Sequence, residues 1–169
     1  MNFRLIISIF VIVSIFILFL VLCIAQYSKL TKLKAMVNES FSTLEIFLEK
    51  RLEIVMQLLD KCDEKANKDK EIENLLNIVT MLKQNIKTQR RFKLENSLDN
   101  AIKSSQNVLN EFCSKHQQLL FDLNTVQSDI NSSKNYYNNN VENYNKKINK
   151  FPIRIVARIF KFSKAYFIK

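Results

Sequence analysis

The chain opens on an apolar run and then turns periodic. From Leu5 to Ala25 it reads LIISIFVIVSIFILFLVLCIA, without charge, Pro or Gly, and with Ser8 and Ser14 as its hydroxyl side chains. Roughly 20 apolar residues rising ~1.5 Å each match a hydrocarbon core about 30 Å thick. A helix also satisfies its own backbone in lipid. The run therefore predicts a transmembrane anchor over 5–25, preceded by a short N-terminus at 1–4. A cleaved signal peptide has a shorter apolar core and a small-residue cleavage site, and no A-x-A pattern follows this one. Leu22 before Cys23 also departs from the small residue that lipoprotein processing wants.

From Leu30 the apolar positions are Leu30, Leu33, Val37, Phe41, Leu44, Leu48, Leu52, Val55 and Leu59. Steps of three and four that close an eleven-residue repeat predict a nearly straight amphipathic helix rather than a left-handed coiled coil. No breaker separates it from the anchor, so the two read as one rod. The charged segment Lys61–Lys70 loses the stripe and predicts a turn near Asn67–Asp69. A second helix carries Ile72, Leu75, Val79, Leu82 and Ile86. Lys87–Arg91, KTQRR, reads as a short solvated connection. A third helix carries Leu94, Leu98, Ala101, Ser105, Val108 and Phe112. A fourth carries Leu119, Leu123, Val126, Ile130, Ser133, Tyr137, Val141, Tyr144, Ile148 and Phe151. The break between these two falls within Cys113–Gln118, and one long helix from Leu94 to Phe151 is the alternative.

Charges interrupt each of these later stripes, so each must bury its face against the others. The expected fold is all-α: a single transmembrane helix, then an antiparallel, up-and-down four-helix bundle over 26–151, then a basic amphipathic tail over 152–169.

Composition sharpens this picture. The 169 residues include no Gly and one Pro, which disfavours tight hairpins and excludes both the P-loop and the dinucleotide fingerprint. Net charge is +10, from 26 basic and 16 acidic residues, and favours anionic partners. Beside an anchor, acidic lipid head groups are the simplest such partner. Lys87–Arg91 lacks the interleaved aromatics of a nucleic-acid site, and no nucleic acid is expected. Lys29, Lys32 and Lys34 follow the span where Arg4 and the α-amino group precede it, so the positive-inside rule places the C-terminal part in the cytoplasm. Cys23, Cys62 and Cys113 read as small buried hydrophobes rather than a disulfide or metal set.

Pro152 stops or bends the fourth helix. Beyond Glu142, the last acidic residue, the tail interleaves Arg154, Arg158, Lys161 and Lys164 with Phe162, Tyr166, Phe167 and several aliphatics. Such a segment suits a membrane interface. In an up-and-down bundle the fourth helix returns to the lipid side and brings the tail with it. The tail's apolar side also suits capping the end of the bundle.

Chemistry-bearing constellations are sparse. Cys113 and His116 share a helical face, but zinc needs about four ligands, and no oxyanion donor or third member accompanies a Cys-His nucleophile. Glu45, Glu49 and Glu53 lie on the polar face of the first helix with Lys or Arg nearby, as solvated helix pairs do. No catalytic residue, cofactor or metal is expected. In the stretch Asn135–Asn149, Asn138 and Asn145 each follow a Tyr, seven residues apart, on a face from which they can hydrogen-bond a partner helix or the tail.

These residues carry a resemblance. Tyr137-Asn138, Val141, Tyr144-Asn145, Ile148, Phe151-Pro152, Ala157, Phe160, Phe162 and Tyr166-Phe167 resemble the C-terminal signature of the LemA family. Val37, Phe41, Leu44, Leu48, Arg51 and Leu52 resemble its first helix. Two departures stand out: Val55-Met56-Gln57-Leu58 where the family usually has P-N-L, and Lys161 where it usually has Gly between the tail phenylalanines. The resemblance implies a membrane-anchored helical bundle, usually bacterial, with a short N-terminus outside and the domain in the cytoplasm. It implies no established biochemical activity. Three readings follow: a non-enzymatic scaffold at the inner membrane that meets lipid and a protein partner; a structural homo-oligomer joined through exposed residues of the first helix; and a cryptic hydrolase built on Cys113 and His116.

Overall fold

A computed structural model of the chain describes residues 3–61, 69–84, 88–112 and 114–168. Among them every regular element is a helix: α1 (Phe3–Lys61), α2 (Lys70–Leu82), α3 (Thr88–Ser104), α4 (Gln106–Phe112), α5 (Gln117–Ile148) and α6 (Ile153–Ile159), with a 3₁₀ turn at Ser114–His116. The protein is thus all-helical, with one long apolar N-terminal helix. By length and composition the N-terminal part of α1 is able to cross a membrane. Its apolar side chains are exposed, Phe10 at 76% and Ile24 at 68%.

The residues fall into two compact units. One holds residues up to Phe41 together with Tyr136–Phe167; the other holds Ser42–Asn135 with Ile168. In the second unit, one continuous core takes Leu44, Leu48, Ile54, Val55 and Leu58 from α1, Ile72, Leu75, Val79 and Leu82 from α2, and Leu98 and Ala101 from α3. Leu109 of α4 and Leu123, Val126 and Ile130 of α5 complete it. Each fully buried aliphatic side chain contributes ~1.5–3 kcal/mol.

Local sequence explains most element ends. Asp69 caps α2: its carboxylate accepts the Glu71 N–H at 2.8 Å, and Glu71 and Glu73 place negative charge in the first turn, where the helix dipole favours it. The Asn67 side of the expected turn, like Ile86, Lys87, Cys62 and Cys113, lies outside the described residues. The expected connection at Lys87–Arg91 is a helix from Thr88 onward, since nothing in TQRR breaks one. The third helix is interrupted at Ser105, which is fully buried. The Ser105 hydroxyl donates to the Ala101 carbonyl at 2.7 Å, with the Glu71 carbonyl as a second acceptor at 3.3 Å. Such back-bonding bends helices. α5 begins at Gln117 and ends at Ile148, so Phe151 leaves the expected stripe and stands 83% exposed.

The expected stripe of α1 is buried or half-buried throughout, with Leu30, Val37, Leu44, Leu48 and Val55 buried, and Arg51 and Leu58 join it. Leu30, Val37, Leu44, Arg51 and Leu58, all buried, lie seven apart, while Leu52 and Leu59 are half-buried. α5 repeats the spacing with Leu123, Ile130, Tyr137 and Tyr144, each buried.

Candidate functional site

Two constellations stand out, one in each unit. In the second unit, Arg51 on α1 is fully buried. Its guanidinium donates to Glu95 Oε2 at 2.6 Å, to Asp99 Oδ1, and to Gln127 Oε1 at 3.0 Å. Glu95 and Asp99 are four apart, so α3 presents both carboxylates on one face. Arg91 completes the group, reaching Glu95 at 3.8 Å and Glu49 at 3.5 Å. Glu49 therefore pairs across helices rather than along α1. Burial pushes the Arg51 pKa below its ordinary value, and Glu95 opposes that shift. These bonds through both terminal nitrogens form a tie between α1, α3 and α5, while the buried Arg51 Nε has no hydrogen-bond partner among the described residues. A nucleophile and an open reacting position are not features of this cluster.

In the first unit the C-terminal tail lies in a clasp made by α5. The Tyr144 hydroxyl donates to the Ser163 carbonyl at 2.8 Å, and the Tyr137 hydroxyl to the Tyr166 carbonyl at 2.8 Å. The Asn145 amide closes a ring on Ala165, donating to its carbonyl at 2.8 Å and accepting its N–H at 2.9 Å. Seven-residue spacing brings Tyr137 and Tyr144 to one face, which is why the two hydroxyls act together. Burial raises the pKa of both phenols, so they remain hydrogen-bond donors.

The tail enters this clasp through a helix-ending turn. Ile153, Val156 and Ala157 of α6 are buried. Phe162 N–H bonds the Ala157 carbonyl at 2.9 Å and Lys161 N–H bonds that of Arg158 at 3.3 Å, the paired bonds of a Schellman motif. Lys161 takes the left-handed position, with φ 54°, the conformation that glycine adopts at no steric cost. The turn packs on α1 just past the apolar run. The Tyr27 ring lies 4.6 Å from that of Phe160 and 5.8 Å from that of Phe162, and Lys34 Nζ stands 5.5 Å from the Phe162 centroid. At the other end of the clasp, Tyr137 meets Phe41 at 5.7 Å.

The tail residues singled out from sequence therefore separate. Arg154, Arg158 and Lys161 are exposed and belong to α6 and its turn, at the Tyr27 end, whereas Phe162 is half-buried in the aromatic cluster. Lys164, Tyr166 and Phe167 are exposed too, but the Tyr166 carbonyl is held at the Tyr137–Phe41 level. That level is about 24 Å along α1 from Ala25, at ~1.5 Å per residue. Of the signature residues, Tyr137, Val141, Tyr144 and Ile148 are buried, Asn138 and Asn145 are half-buried, and Phe151 and Pro152 are exposed. His116 sits half-buried in the 3₁₀ turn; its pairing with Cys113 lies outside the described residues. Sequence reasoning missed Arg51, Glu95, Asp99 and Gln127 as a group, and Tyr27 and Lys34 as tail contacts. For Arg51 a signal existed, its place seven residues from both Leu44 and Leu58.

No curated protein matches the chain. Tyr137, Tyr144 and Asn145 of the clasp are among the residues that carry the resemblance, and a family model covers them: with residues 40–169 matched, the chain belongs to the LemA family.

Proposed function

We propose that the protein is a membrane-anchored, non-enzymatic scaffold. Leu5–Ala25 spans the inner membrane once, and the remaining chain stands on the cytoplasmic side as an up-and-down four-helix bundle. α6 and the Phe160–Phe162 turn rest against anionic head groups, and the bundle surface meets a protein partner. The observation that carries this reading is the packing of Phe160 on Tyr27 at 4.6 Å, two residues past the apolar run. There the exposed Phe151, Ile155, Ile159 and Phe160 alternate with the exposed Arg154, Arg158 and Lys161. Aromatic and basic side chains together suit the head-group layer.

The chain contains no Trp, which makes a single-reporter test clean. Full-length protein carrying Phe160→Trp, reconstituted in vesicles with brominated acyl chains, is expected to show quenched emission, more so with anionic than with neutral lipid. The same reporter at Tyr166 is expected to stay unquenched. Unquenched emission at position 160 in both lipids would defeat the reading.

A second reading, homo-oligomerisation at the membrane surface, draws on the open groove between α1 and α2. Met56, Leu59 and Leu76 line it, and Leu76 is 49% exposed. Sedimentation of the full chain in detergent at several concentrations tests it, and a strict monomer refutes it.

A further inference from the structure

The clasp on α5 reads main chain. Four hydrogen bonds from the clasp end on backbone groups of the tail: the Ser163 carbonyl, the Ala165 N–H and carbonyl, and the Tyr166 carbonyl. Along the same stretch the side chains of Ser163, Lys164, Tyr166 and Phe167 are exposed, with Tyr166 at 86%. Ala165 is half-buried, where a small residue lets Asn145 reach both backbone groups. Recognition of an extended segment through its backbone is the physics of strand addition, here carried out by side chains on a helix.

The segment held this way hangs on a single unfavourable joint. Past α6 the residues Phe162–Ile168 have no regular secondary structure. The turn into them requires Lys161 at φ 54°, where a side chain with a Cβ is crowded. A short joint under strain, leading to a segment held by side chains of other elements, is the arrangement that favours exchange between copies.

We propose that the α5 clasp is a receptor for an extended chain, and that its exchange partner is the tail of a second copy of this protein. The second copy is the occupant the geometry favours. It offers the same small residue at 165 and the same aromatic at 162 for Tyr27, so the clasp bonds and the Phe162–Tyr27 contact are available between two chains, while the two turn bonds at Lys161 and Phe162 are given up. Exchange leaves the clasp filled and opens the Lys161 joint. This gives the homo-oligomer reading a definite connection and rests on that reading for its consequence.

The test uses two differently tagged full-length copies, co-expressed, with Cys23, Cys62 and Cys113 replaced by Ser. One carries Asn145→Cys and the other Ala165→Cys. The expected result is a disulfide-linked heterodimer under mild oxidation, reduced several-fold when both copies also carry Lys161→Gly. It is likewise reduced when the Asn145→Cys copy also carries Tyr137→Phe and Tyr144→Phe, with helix content by circular dichroism unchanged. A chain carrying both cysteines provides the intramolecular reference. A disulfide that forms only within the doubly substituted chain, even where sedimentation shows the copies associated, would overturn the exchange and leave the association reading standing. The disulfide is read in membrane and soluble fractions alike, so the test does not presuppose the anchor.

Discussion

A guanidinium removed from water must have its charge answered at close range, because an unpaired buried charge is among the costliest features a fold can carry. Arg51 meets that demand with Glu95, Asp99 and Gln127. Arg51→Ala leaves the nearly buried Glu95 carboxylate, among the described residues, with Arg91 at 3.8 Å as its cationic partner. It is expected to cost about 3–5 kcal/mol in denaturant unfolding, while replacing the whole group by apolar residues of similar volume is expected to be near neutral. Lys161 presents the opposite case, a residue whose side chain the backbone does not want. Left-handed geometry costs a non-glycine residue about 1–2 kcal/mol. Glycine gives back ~0.4–1 kcal/mol as unfolded-chain entropy. Lys161→Gly is therefore expected to stabilise the tail turn by about 0.5–1 kcal/mol, read as slower amide exchange at Phe162.

At the scale of elements, α1 and α5 are organised by sevens, and the clasp is a consequence of that spacing. Tyr137 and Tyr144 stand about 10 Å apart along α5, far enough to hold both ends of an extended segment. Both phenols donate only while protonated. Their folded pKa values are raised by burial above the ordinary 10.0. The stabilisation is therefore complete below the unfolded value near 10.0 and is lost as pH rises through the higher folded value. Alkaline titration is expected to release the tail together with the appearance of phenolate absorbance, and Tyr144→Phe is expected to release it at neutral pH. A tail whose amide exchange ignores both changes would refute the clasp as its main restraint. The core elements answer to different physics: Leu48→Ala or Leu123→Ala removes a buried side chain and is expected to cost ~2–5 kcal/mol in global unfolding.

At the scale of the molecule, the excess of basic over acidic residues sets how the chain meets a charged surface. Screening lengths fall from about 30 Å at 0.01 M salt to about 3 Å at 1 M. If α6 meets anionic head groups as proposed, the extra quenching of Phe160→Trp by anionic over neutral lipid is expected to vanish across that range. The quenching common to both lipids is expected to persist, because apolar insertion is not screened.

What could be read without coordinates was whatever depends on local period and composition. The uncharged run from Leu5 to Ala25, the absence of glycine, the four stripes and the seven-residue return of the Tyr-Asn pairs all state helix, and the signature residues state the family. The seven-residue spacing marks Arg51 as a core position, but its partners could not be assigned that way, because Glu95 and Asp99 arrive from another element. Nor could Tyr27 or the direction of the tail. Periodicity tells which side of a helix is apolar, but only the packed chain decides which distant groups fill the space beside it. Those long-range partners turned one polar position into core and held Tyr166 about 24 Å along the helix from Ala25.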